Sequence, residues 1–130
     1  MDTHGGDYLK TPEGIALPVP HCIRGTKGWE LAPAVAEIAR KTGAAIYEKP
    51  VFGSLRLAQD LAAAFGRGEI GSVELCGLCT DICVISNAVL IRTLCPELKV
   101  IANSKCCAGV TPEKHEAALE VMASLQIKII

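Results

Sequence analysis

A short apolar run from Val73 to Gly77 passes through Leu78-Cys79-Thr80-Asp81 into a segment that is apolar almost all round. Cys83, Val84, Ile85, Ala88, Val89, Leu90 and Ile91 leave the helix expected over Asp81 to Leu94 no broad polar face. Such a helix is buried rather than laid on a surface. Pro96 closes it, and Lys99 to Ala102 reads as the next strand. A strand, a buried helix and a second strand in close succession point to an α/β domain with a mostly parallel sheet.

The rest of the chain extends the pattern. Leu31, Val35, Ile38 and Ala39 have helical spacing over Leu31 to Lys41, and Gly43 is a helix stop. Ala44 to Glu48 reads as a short strand ended by Lys49-Pro50. Ser54 is an N-cap for a helix through Phe65, with Leu57, Ala58, Leu61 and Phe65 on one face. Thr111-Pro112-Glu113 starts a last helix as cap, first-turn proline and first-turn acid. Ala118, Val121, Met122 and Leu125 form its expected inner face, and Ile127 to Ile130 is a fourth, terminal strand. Met1 to Trp29 is rich in Gly and Pro without periodicity and reads as an ordered loop of functional length. The 130 residues make one domain by length.

Composition narrows the class. Thirteen basic against fourteen acidic side chains leave a net charge of −1, which is no footprint for nucleic acid. No apolar run reaches the roughly 18 residues of a membrane helix. Seven cysteines is an odd count without a signal-peptide pattern, so reduced thiols in a cytoplasmic protein are expected.

Chemistry-bearing residues gather at a few places. Cys83, early in a helix at the carboxyl end of a strand, feels the positive end of the helix dipole, which favours a thiolate. Backbone N–H groups there can stabilise an oxyanion. A packed core cysteine is the plain alternative, and a soft metal site from Cys76, Cys79 and Cys83 is another. Asp2 and His4, two apart on an extended segment, point to one side, and His21 can join them. Three N/O ligands with open positions suit zinc, iron or manganese, against the alternative of an exposed polar terminus. Lys49 is either a surface lysine or a cation that supports a thiolate. His115 is expected to face solvent, and the Cys106-Cys107 pair to serve packing.

Gly77-Leu78-Cys79-Thr80-Asp81-Ile82-Cys83-Val84 resembles the G-x-x-T-D-x-C-V segment of the nicotinamidase/isochorismatase-like cysteine hydrolases. Asp2-Thr3-His4, Pro20-His21-Cys22, Lys49-Pro50-Val51-Phe52-Gly53-Ser54 and Cys107-Ala108-Gly109 follow in the family's order, so the resemblance spans the chain. It implies a three-layer α/β/α fold with a parallel sheet. It implies Cys83 as nucleophile on a small amide, Lys49 as electrostatic support, and a cis Leu78–Cys79 peptide. The N–H groups of Cys79 and Cys83 would form the oxyanion hole. A divalent metal would be held by Asp2, His4 and His21, with no organic cofactor, and Phe52 and Tyr8 would contact substrate. Tyr8 occupies the place of a further family histidine, and Pro18 that of a substrate-stacking Trp, which leaves another small amide as open as nicotinamide.

The family's catalytic Asp lies on an upstream strand that has no counterpart in this sequence. A strand–helix–strand unit of about 40 residues is missing relative to the family. The expectation is an N-terminally truncated reading of a longer enzyme, or a shortened relative without its general base. The second would act as a non-catalytic binding or oligomer-forming subunit. Strand edges left open by the missing unit predict self-association.

Overall fold

The computed structural model describes all of residues 1–130. The chain divides into two compact units, Met1–Val51 and Phe52–Ile130.

The second unit carries the sheet. Strands β1 (Ser72–Leu78), β2 (Lys99–Ala108) and β3 (Lys128–Ile129) are parallel and lie in the order β1-β2-β3. Ser72 pairs with Lys99 and Leu75 with Ala102, but Gly77 pairs with Cys107, so β2 bulges opposite Cys76. β2 runs to Ala108, beyond the expected Ala102, and takes Cys106 and Cys107 into the sheet. Cys106 is exposed and Cys107 half-buried, so only Cys107 has the packing role expected of both.

Helices α3 (Leu55–Gly66), α4 (Ile85–Leu94) and α5 (Pro112–Ser124) complete this unit. Ser54 caps α3 by accepting the Leu57 N–H at 3.2 Å, as its sequence position predicts. Thr111 caps α5 by accepting the Lys114 N–H at 3.3 Å. Ala88 and Ile91 of α4, Leu98, Val100 and Ala102 around β2, Leu119 and Met122 of α5, and Ala58 of α3 form one apolar core. Each large side chain buried there contributes about 1.5–3 kcal/mol relative to exposure. The inner face of α5 uses Leu119 where Val121 and Leu125 were expected, and Leu125, at the C-cap, is 40% exposed. Val121 is 50% exposed, because the helix turns its Ala118-Leu119-Met122 stripe inward. The expected helix from Asp81 is broken in two: Thr80–Val84 forms a π-helical turn, and α-helical geometry starts at Ile85.

The first unit has little regular structure. It holds a 3-10 turn (Tyr8–Lys10), α1 (Pro12–Ala16) and α2 (Pro33–Thr42). The loop expected over Met1 to Trp29 therefore contains a helix. Thr11 caps α1 by accepting the Gly14 N–H at 3.0 Å, with Pro12 in the first turn. α2 ends at Gly43, in the left-handed region at φ 64°, as expected. Its apolar stripe is not buried, with Val35 and Ile38 both exposed.

Ala44 to Glu48 does not form the expected strand, so the sheet has three strands and not four. A strand exists only where a neighbour supplies a ladder, and here the ladder is a single rung. Thr3 N–H donates to the Lys49 carbonyl and Lys49 N–H to the Met1 carbonyl, making an isolated parallel bridge between Asp2 and Lys49. On its other side the same terminal segment makes a second bridge, between His4 and Ile23.

Candidate functional site

The terminal segment Met1–His4 is held extended between Lys49 on one side and Ile23 on the other. Extended geometry puts Asp2 and His4 on the same face. Thr3, between them, is fixed by the Trp29 indole N–H, which donates to its hydroxyl at 3.0 Å. Thr3 and His4 are both buried.

On that face four side chains converge: Asp2, His4, Glu13 and His21, their ligand atoms all within 4.8 Å of one another. His4 Nε2 lies 3.4 Å from Asp2 Oδ2 and 3.8 Å from Glu13 Oε1. His21 Nε2 lies 3.8 Å from Asp2 Oδ2 and 3.7 Å from Glu13 Oε1. Ligands about 2.1 Å from a cation at tetrahedral angles sit roughly 3.4 Å apart, so these separations suit a small divalent ion. The Nδ1 of His21 is 2.9 Å from the Val19 carbonyl. A proton on Nδ1 satisfies that contact and leaves the Nε2 lone pair facing the cluster.

His4 supplies the test of fit. Its Nε2 is buried and has no hydrogen-bond partner. Leaving a buried polar atom unsatisfied costs about 1–3 kcal/mol, and a cation among these four groups removes that cost. Two imidazoles and two carboxylates are a donor set for zinc, iron or manganese.

Tyr8 is not a ligand. Its hydroxyl donates to the Leu17 carbonyl at 2.9 Å, while its ring packs on His4 and His21 with centroids 4.7 and 5.0 Å away. Burial, then the Glu13 and Asp2 carboxylates, push its phenol above the usual range. α1 brings Glu13 to the cluster beside the Tyr8 ring. Gly14 permits this arrangement, because a Cβ there would meet the Tyr8 carbonyl oxygen at 2.0 Å.

Lys49 touches the same carboxylate from behind. Its Nζ donates to Asp2 Oδ1 at 2.9 Å and to the Val51 carbonyl at 3.1 Å, and the residue is buried. Asp2 thus turns one oxygen to the lysine and the other to the imidazoles.

In the second unit, β1 ends at Gly77, with φ 127°, and a cis Leu78–Cys79 peptide, then enters the π-helical turn. The Cys79 carbonyl accepts the N–H groups of Ile82 and Val84, each at 3.1 Å. The turn is anchored on α5 and on the loop before it. Thr80, fully buried, has its hydroxyl 2.8 Å from His115 Nδ1, and Asp81 Oδ1 accepts the Val110 N–H at 3.0 Å. His115 is half-buried in this bond and does not face solvent as expected. Gly109 allows the close approach, since a Cβ there would meet His115 N at 2.8 Å. Cys83 is half-buried in the turn. Burial, then the charges of Asp81 and Cys83, push the Cys79 thiol up, and burial does the same for Cys107. Cys76, Cys79 and Cys83 do not converge on a metal-binding point, because Cys76 stands on β1 and the other two lie beyond it in the turn. Phe52 is exposed, at the start of this unit.

The Isochorismatase domain profile matches residues 2–130, so the chain belongs to the isochorismatase family. Its fold is that of solved nicotinamidases. It is 30% identical to the nicotinamidase/pyrazinamidase PncA of Bacillus subtilis, with a TM-score of 0.76, covering 98% of this chain and 70% of that one. It is 26% identical to the pyrazinamidase/nicotinamidase of Streptococcus mutans UA159, with a TM-score of 0.78, covering all of this chain and 72% of that one. It is also 26% identical to the pyrazinamidase of Pyrococcus horikoshii, solved in complex with zinc, with a TM-score of 0.68, covering 99% of this chain and 71% of that one. No helix is long and apolar enough to cross a membrane.

Proposed function

We propose that the chain is a metal-binding cysteine hydrolase of small aromatic amides, in the manner of nicotinamidases. The observation that carries this reading is the buried, unpartnered His4 Nε2 among Asp2, Glu13 and His21 in a chain of this family. The zinc complex of the Pyrococcus horikoshii pyrazinamidase supports it.

Asp2, His4, Glu13 and His21 would hold a divalent cation. Bound there, it supplies a Lewis acid that can hold a ring nitrogen of the substrate. Lys49 holds Asp2 in place through Oδ1 and provides the cation that the resemblance assigns to thiolate support. Cys83 Sγ adds to the amide carbonyl carbon, and the oxyanion is received by the N–H groups of Cys79 and Cys83. The C–N bond breaks, the leaving NH2 takes the proton that the Cys83 thiol gave up and departs as ammonia, and a thioester remains. Water then hydrolyses the thioester to the carboxylic acid and returns the thiol.

Ammonia release from nicotinamide and pyrazinamide by the zinc-loaded protein tests the reading. Turnover is expected and should vanish in Cys83→Ala. Turnover that persists in Cys83→Ala overturns the cysteine mechanism. Stoichiometric zinc binding with no ammonia from either amide turns the assignment to a non-catalytic binding subunit of the same fold.

A further inference from the structure

Side chains of α4 reach back to carbonyls of the π-helical turn that carries Cys83, beside the Ile85 N–H, which donates to those of Ile82 and Thr80. Ser86 Oγ donates to the Ile82 carbonyl at 2.6 Å, and Asn87 Nδ2 donates to the Cys83 carbonyl at 2.7 Å. Both are contacts four residues back along the chain, the pattern by which a side chain bends or supplements a helix. Ser86 stops there. Asn87 does not, since its Nδ2 also donates to the Phe52 carbonyl at 3.3 Å and its Oδ1 accepts the Ser54 N–H at 2.9 Å. One carboxamide therefore joins the cysteine turn to the segment that enters α3. Gly53, in the middle of that segment, lies against α4, where a Cβ would meet Leu90 Cδ1 at 2.7 Å.

We infer that Asn87 is a positioning residue. It sets the register of the Cys83 turn against Phe52–Ser54, so that the nucleophile and the segment bearing Phe52 keep one spacing. The inference rests on the reading of Cys83 as nucleophile and of Phe52 as a substrate contact. The carboxamide suits the task because it has both a two-proton donor and an acceptor, and all three partners are backbone groups. A carboxylate of the same shape still accepts from Ser54, but it cannot donate to Cys83 or Phe52. It also brings negative charge to a turn in which Asp81 and Cys83 already act on the Cys79 thiol.

The experiment is alkylation of the full chain with iodoacetamide across pH, read thiol by thiol by mass spectrometry, in wild type, Asn87→Asp and Asn87→Ser. Asn87→Asp should shift the Cys83 alkylation curve to higher pH, about tenfold in rate at pH 7 for each pK unit. The exposed thiols Cys76 and Cys106 should keep their rates. Asn87→Ser keeps a hydroxyl that can reach the Cys83 carbonyl as Ser86 reaches that of Ile82. It should restore the Cys83 curve while raising KM for nicotinamide at unchanged kcat, because the bonds to Phe52 and Ser54 are gone. The buried thiol Cys95 reports on folding; if Asn87→Asp exposes it, Asn87→Ser decides. A wild-type Cys83 curve in Asn87→Asp, or an unchanged KM in Asn87→Ser, overturns the inference. Wild-type Cys83 reacting no faster than Cys76 and Cys106 would instead overturn the nucleophile reading itself, before any variant is compared.

Discussion

The two units are organised around opposite kinds of interior. In Phe52–Ile130 the buried residues are mostly apolar, from Ala58 through Ile91, Leu98 and Met122 to Ile127, with Ser54 and Thr80 as the buried polar ones. In Met1–Val51 they include Thr3, His4, Tyr8 and Lys49, gathered at the Asp2–Glu13–His21 cluster. The first kind of interior is stabilised by removing apolar surface from water. The second buries mainly polar groups around the Tyr8 ring, and one of them, His4 Nε2, is left without a hydrogen-bond partner. A small domain that cannot build an apolar core gains stability from a bound metal instead. Binding and folding should therefore be linked in Met1–Val51 and separate in Phe52–Ile130.

Truncating the apolar core gives the largest expected change. Met122→Ala or Ile91→Ala should cost about 2–5 kcal/mol in denaturant unfolding. Zinc affinity, measured by calorimetric titration of the folded protein, should stay as in wild type. A tenfold weaker affinity in either variant would dissolve the distinction between the two interiors.

The converse substitution comes next. His4→Ala should weaken zinc binding beyond the 10–100-fold typical of residues that merely support a ligand. Removing zinc from the wild-type protein with a chelator should cost about 2.7 kcal/mol of stability relative to zinc at 100 times its dissociation constant. Hydrogen exchange should place the loss of protection in Met1–Val51. Protection lost equally from β1 and β2 would show that the cluster does not stabilise its own unit preferentially.

How much of this was legible in the sequence follows the same division. Ser54 and Thr111 announced their helices because each stands before an apolar stripe, where cap and periodicity agree. β1 and β2 were legible from their apolar runs. Ala44 to Glu48 was misread as a strand, because propensity describes a segment and pairing needs a partner. Asp2 and His4 could be placed on one face from their spacing alone. Glu13 could not, because its position depends on α1, a helix of five residues too short to show a period. Yet the signal was present: Thr11-Pro12-Glu13 repeats Thr111-Pro112-Glu113, the start read correctly for α5. Asn87 left no trace, since its partners are carbonyls and an N–H that any sequence supplies.

That repeated tripeptide gives the finest test of the comparison. In α5 the start is purely structural, with Thr111 accepting the Lys114 N–H and Glu113 exposed. The backbone, then the Thr111 hydroxyl, hold the Glu113 carboxyl below the usual range. A depressed carboxyl adds stability above its unfolded pKa and loses it as pH falls through the folded value. Glu113→Gln should therefore flatten the stability profile only on the acid side of about pH 4. Thr111→Ala should cost about 1 kcal/mol and leave zinc affinity alone. In α1 the same residues do more. Thr11 accepts the Gly14 N–H and also donates to the Tyr8 carbonyl at 2.7 Å, so it fixes both the helix that presents Glu13 and the turn whose ring packs on His4 and His21. Thr11→Ala should cost a similar amount in the zinc-free protein and, in addition, weaken zinc binding about tenfold. Equal zinc affinities in the two Thr→Ala variants would mean that Glu13 reaches the cluster without its cap, and that the polar interior tolerates disorder in α1.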